Sequence, residues 1–202
     1  MNGWMRIMRR KAKNKIGGRM AKKIALPKIQ INGGPNTALL VIDVQRGLFN
    51  KNTPIYQAEQ LLQNIHTLVR RAHEAEAPVV YVQHSAQKHL VLGSNDWKLH
   101  PKLSPLPEEL RVEKLHGNAF EATPLMEELE ACQVGRVVIC GLVTHGCVKA
   151  TTLGALELGY QVVLAGDAHS SYSKDAAKLI EEWNGKLREA GAEVRPASEI
   201  EF

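Results

Sequence analysis

The chain has 202 residues, 44% hydrophobic and 23% charged, enough for one packed domain with no second core in evidence. Its net charge of +5 is uneven: residues 1–28 hold ten Lys or Arg and no acid, which leaves 16 basic against 21 acidic residues in the remainder. No apolar run reaches the roughly 18 residues of a membrane-spanning helix, and the three cysteines, Cys132, Cys140 and Cys147, lack the C-x-x-C spacing of a structural zinc site or a dithiol redox pair.

Residues 1–35 read as a basic, disordered leader, and residues 36–202 as the folded domain. A basic arm can engage nucleic acid or an anionic membrane, but a like-charged tail is ordinarily solvated, so neither is expected as a partner. From Thr37 onward, apolar strand-like runs alternate with helical patterns: strand 37–43, helix 57–76, strands 78–83 and 111–114, helix 123–131, strand 136–140, helix 149–158, strand 160–165, helix 173–190 and a short run at 192–195. This alternation predicts a three-layer α/β fold, an open parallel sheet with helices on both faces. Gly159 reads as the C-cap of the helix ending at Leu158. Arg46–Tyr56 and Ser85–Glu109 carry no regular pattern and are where substrate-contacting loops are expected.

Three residues carry candidate chemistry. Cys147 falls where the strand ending at Cys140 turns into a helix, and N–H groups at a helix start lower a thiol's pKa and hold an oxyanion. A buried structural cysteine fits the same position. Asp43 closes the continuous apolar run Thr37–Ile42, at a strand's carboxyl end, where ligands of open α/β sheets bind. Desolvation there raises a carboxyl toward a useful base, although a turn aspartate also fits. Lys114 ends a short strand before a Gly-containing turn; alone it reads as a surface lysine, and beside Asp43 and Cys147 as a charge partner.

Asp43, the run Lys114-x-x-x-x-Ala119-Phe120, and Gly141-x-x-Thr144-x-x-Cys147-Val148-x-x-Thr151 occur in the order that resembles the isochorismatase-like cysteine hydrolases. The resemblance extends from Asn36 to Phe202 and takes in Gly159–Ala168 and the segment Gly93–Leu103 with Trp97, His100 and Pro101. It implies Cys147 as nucleophile, Asp43 as general base and Lys114 as the supporting cation. It also implies a cis peptide at Leu142–Val143 and an oxyanion hole formed by the Val143 and Cys147 N–H groups. Gln45, Phe49, His84, Trp97, Phe120 and Thr144, with Leu48 and His100, are the expected pocket residues.

Within the family, ether-cleaving members generally lack the cysteine, so Cys147 favours hydrolysis of a C–N bond in a small amide or ureido/N-carbamoyl compound through a thioester. The alternatives are isochorismatase-type ether hydrolysis and a catalytically idle binding or assembly member. The nicotinamidase branch has an Asp-x-His metal pattern, whereas Val80 to Val91 here holds His84 and His89 but no carboxylate. No metal or other cofactor is expected. A small-molecule substrate, self-association as a dimer or larger, and the cytoplasm complete the expectations, since a reducing compartment suits a thiol nucleophile.

Overall fold

A computed structural model of the protein describes residues 36–202; the expected leader lies outside the described residues. Six strands form one sheet: β1 (Asn36–Ile42), β2 (Val79–His84), β3 (Leu110–Lys114), β4 (Val134–Leu142), β5 (Gln161–Ser170) and β6 (Glu193–Arg195). Their order is β3-β2-β1-β4-β5-β6, and every neighbouring pair is parallel.

β1 and β4 occupy the middle of this sheet, which explains why both read as continuous apolar runs: side chains on either face meet a packed layer. Alternate residues separate into two cores. Leu39, Val41, Tyr81, Val138 and Cys140 face one way, against Leu61, Leu62, Ile65, Leu68 and Ala72 of α2 (Ala58–Glu74), with α1 (Arg46–Phe49) preceding it in the chain. Leu40, Ile42, Val80, Val82 and Ile139 face the other way. There they meet Leu125 and Leu129 of α3 (Leu125–Ala131), Ala155 of α4 (Lys149–Leu158) and Leu187 of α5 (Ala176–Glu189). Ile65 is fully buried, so Ile65→Ala alone removes about 2–5 kcal/mol through lost contacts and the cavity left behind.

The three-layer parallel arrangement is the one expected, and the differences are local. Arg46–Phe49, read as patternless, closes one helical turn. β4 runs two residues further at each end than the 136–140 run suggests, and β5 continues five residues beyond 165, to Ser170. β5 passes an irregularity opposite Ile139–Gly141 before His169 and Ser170 rejoin Gly141 and Leu142. The polar run Gly166-Asp167-Ala168-His169-Ser170 hides that extension, because Ala168 alone among them has an apolar side chain suited to a buried strand. Gly159 does cap α4, with φ at 93° and its N–H on the Leu156 carbonyl at 3.1 Å.

The chain builds outward from β1 to β2 and β3, then returns to lay β4 on the other side of β1. The strand order thus reverses between β1 and β4, and crevices at such a reversal collect the chemistry of open α/β sheets at the strands' carboxyl ends. Asp43 follows β1, His84 ends β2, Lys114 ends β3 and Cys147 follows β4.

Candidate active site

Four strand ends bring these residues together. Asp43 leaves β1 in the left-handed region with φ at 51°, which turns its carboxylate out of the strand and back across the sheet end. Lys114 and Asp43 are 1% and 2% exposed, and Lys114 Nζ donates to Asp43 Oδ2 at 2.8 Å. The ammonium has two further contacts, with His84 Nδ1 at 3.2 Å and the His116 carbonyl at 3.2 Å. An ammonium has three donors and no acceptor, and here three acceptors surround it. Asp43 Oδ1 is buried without a hydrogen-bond partner. A carboxylate oxygen of Asp43, a ring nitrogen of His84 and the Cys147 sulfur all lie within 4.8 Å of one another.

Cys147 lies in a π-helical turn, Thr144–Val148, between β4 and α4, and is half-buried. The Leu142–Val143 peptide preceding the turn is cis. Gly141, just before it, has φ at 116°, and a Cβ there would stand 2.1 Å from the Ile42 carbonyl oxygen, so β1 and β4 approach as closely as only glycine allows beside Asp43.

Electrostatics differ from the sequence expectation in one respect. The thiol is pushed up to about 12, chiefly by burial and then by the Asp43 charge, with Lys114 opposing. Burial and the neighbouring carboxylate outweigh the effect expected of a helix start, and the turn itself is kinked at Gly146, whose φ and ψ of −110° and −111° are not helical. Burial likewise raises Asp43 above the ordinary carboxylate range, against the pull of Lys114. His84 is held below its usual range by burial first and by the Lys114 charge next. The resting thiol is therefore protonated, and it lies beside the hydrogen-bonded Asp43–Lys114 pair and an imidazole that burial disfavours charging. Asp43, His84 and Cys147 are the one cluster with metal-ligand chemistry among the described residues. An ammonium within 3.2 Å of two of them disfavours a second cation in the same space.

A cavity of about 640 Å³ opens beside this cluster, lined by Leu48, Asn50, Lys51, Asn52, Thr53, His84, His89, Asp96 and Tyr172 among others. A second cavity, of about 620 Å³, lies between α2 and residues 101–104 and shares no residue with the cluster. Of the expected pocket residues, His84 and Leu48 line the first cavity, and the remainder are engaged inside the protein. Gln45 is fully buried; its Nε2 donates to the His84 and Trp97 carbonyls at 3.0 and 2.8 Å, and its Oε1 accepts from the His84 N–H at 2.9 Å. Trp97 Nε1 donates to Ser85 Oγ at 2.9 Å, and Phe49 packs on His100 with ring centroids 4.4 Å apart. Phe120 stacks on Tyr160, the residue before β5 at the opposite end of the sheet.

Thr144 shows what the sequence reading missed. Its hydroxyl meets His169 Nδ1 at 2.9 Å, His169 Nε2 meets Asn184 Oδ1 at 2.8 Å, and Asn184 Nδ2 donates to the Gly166 carbonyl at 3.0 Å. This chain ties the cysteine-bearing turn to β5 and α5. Burial pushes His169 down to about 4, so it is neutral at physiological pH. A helical-period scan of α5 gives no sign of Asn184, because its role depends on the bulged end of β5 lying beside it.

The isochorismatase domain model matches residues 37–194. The chain belongs to the isochorismatase family. It is 37% identical over 145 residues to a streptothricin hydrolase of Streptomyces noursei, covering 71% of this chain and 52% of that protein. A maleamate amidohydrolase of Pseudomonas putida is 29% identical over 164 residues, covering 70% and 77%. Among solved structures, an isochorismatase family protein superimposes with a TM-score of 0.76 at 28% identity, covering 80% of this chain and 98% of that one. The chain spans about half the length of the streptothricin hydrolases it matches. No helix among the described residues is long and apolar enough to cross a membrane.

Proposed function

We propose that the protein is a cysteine hydrolase that cleaves a C–N bond of a small amide or ureido/N-carbamoyl compound through a thioester on Cys147. One observation carries the reading. Lys114 directs its donors to Asp43 Oδ2, His84 and a backbone carbonyl, which leaves Asp43 Oδ1 buried and unpartnered, and the carboxylate lies within 4.8 Å of the half-buried thiol. A carboxylate so placed is a base with one free lone-pair face toward one proton.

Because the thiol rests protonated, attack and proton transfer go together. Asp43 takes the S–H proton as Cys147 sulfur bonds to the carbonyl carbon, and the carbonyl π pair moves onto oxygen. The backbone N–H groups of Val143 and Cys147 receive that oxyanion. Loss of one such donor typically costs on the order of 10²–10³ in turnover. Collapse breaks the C–N bond, and the Asp43 proton passes to the departing nitrogen. Asp43 then deprotonates water, whose oxygen adds to the thioester carbon, and collapse returns the proton to sulfur with release of the acid. Lys114 favours the ionised form of Asp43, opposing the desolvation that raises its pKa.

The name of the Pseudomonas putida relative and the C–N chemistry of an amidohydrolase agree with this reading. The test is ammonia release from primary amides, N-carbamoyl amino acids and ureido acids, with wild type and Cys147→Ala side by side. Release by wild type alone is expected; release by both, or by neither, overturns the reading.

A further inference from the structure

His84 lies at the end of β2, where its two ring nitrogens meet different surroundings. Nδ1 lies 3.2 Å from the fully buried Lys114 ammonium, which can only donate, so Nδ1 is the unprotonated acceptor. The neutral ring then carries its proton on Nε2. That nitrogen is on the far side of the ring from Lys114, and His84 is one of the residues that line the 640 Å³ cavity, with the His116 backbone also against its ring. The backbone of His84 is pinned from both sides by Gln45, whose Nε2 and Oε1 hold the carbonyl and N–H at 3.0 and 2.9 Å. A donor whose tautomer is set by a buried cation, and whose main chain is clamped, is preorganised rather than adaptable. The same ring lies within 4.8 Å of the thiol.

We infer that His84 is a specificity-determining residue whose Nε2–H receives a second acceptor oxygen of the substrate, a carbonyl or a carboxylate, close to the scissile amide carbon. The inference rests on the thiol-hydrolase reading for its scissile group, and on the His84–Lys114 geometry for everything else. A site built to donate to a substrate oxygen discriminates against an analogue that lacks it, because the donor is then left without a partner. The expected preference is about 3- to 10-fold for a neutral carbonyl and about 10- to 100-fold for a carboxylate.

Three matched primary amides test this: malonamide with a second carbonyl, malonamate with a carboxylate, and butyramide with neither. The readout is the ratio of kcat/KM for each oxygen-bearing amide to that for butyramide, in wild type, His84→Asn and His84→Gln. In His84→Asn the shorter amide can place its oxygen where Nδ1 accepts from Lys114 but has no donor at the Nε2 position; in His84→Gln an amide N–H reaches that position. The ratio is expected to exceed about 3 in wild type, to fall to about 1 in His84→Asn, and to recover in part in His84→Gln through KM. An equal ratio in wild type and His84→Asn overturns the inference. Binding is read separately from turnover on Cys147→Ala protein with 15N-labelled histidine. The His84 Nε2–H resonance is expected to move with malonamide or malonamate and not with butyramide. A ring protonated on Nδ1, or a resonance indifferent to all three, overturns the inference with native His84 in place. Movement without ammonia release from any amide by wild type sinks the hydrolase reading and leaves the His84 assignment standing.

Discussion

Lys114→Met should destabilise the fold by about 3–5 kcal/mol at neutral pH, because it strands the buried carboxylate of Asp43. The ion pair has side chains 0% and 3% exposed at 2.8 Å, so water cannot replace the lost ammonium. Methionine keeps most of the apolar stem, which confines the loss to the charge and to the two other acceptors, His84 Nδ1 and the His116 carbonyl. The pH dependence follows from the direction of the Asp43 shift. Its folded-state pKa is already above the ordinary 3.8, and Lys114 opposes the rise. Without Lys114 it climbs further. A carboxyl with a raised folded pKa contributes stability below its unfolded value and loses it as pH rises through the folded value. The variant's deficit is therefore small near about pH 4 and grows toward neutrality, by at most about 1.4 kcal/mol per pH unit. Urea unfolding of wild type, Lys114→Met and Asp43→Asn/Lys114→Met across that range is the assay. The double variant, with no buried charge left, should recover much of the loss. A deficit that is constant with pH, or a double variant no more stable than the single one, refutes the reasoning.

Asp43→Asn should abolish ammonia release while speeding iodoacetamide alkylation of Cys147 near neutral pH, since it removes both the base and the charge that raises the thiol; turnover that survives would sink the base assignment. Gly141→Ala should cost about 3 kcal/mol or more, measured by thermal unfolding, because a Cβ meets the Ile42 carbonyl at 2.1 Å and φ is 116°; a loss under about 1 kcal/mol would contradict the tight β1–β4 approach. His169, depressed to about 4, contributes stability above its unfolded 6.5 that is lost as pH falls toward 4. His169→Gln should remove that acid slope, worth about 3 kcal/mol, and an unchanged slope in urea titrations would refute the burial argument.

The parts of this molecule written in one-dimensional patterns were legible beforehand. β1 and β4 announced themselves as apolar runs because the middle of a parallel sheet buries both faces, and Asp43 and Cys147 followed because strand ends are where such sheets hold ligands. Lys114 entered only through its company, since no single lysine signals burial. The pocket was harder. Gln45, Trp97 and Thr144 stand beside the site in sequence, yet their polar atoms bind the protein itself, and a sequence does not say which partner a polar side chain will choose. The His169–Asn184 link spans a bulge and a separate helix, and the elevated thiol pKa reflects a carboxylate and burial that only the assembled site supplies. His84 was visible as a residue but not as a donor, because its tautomer is set by Lys114 from a different strand.

The central claim is that Cys147 carries the acyl group of the substrate, and rapid-quench mass spectrometry of the intact protein tests it directly. Wild type mixed with an amide it turns over should gain the mass of the acyl fragment, with the adduct mapping to the peptide that contains Cys147 and vanishing in Cys147→Ala. Turnover that persists in Cys147→Ala, or an adduct on another residue, would contradict the account.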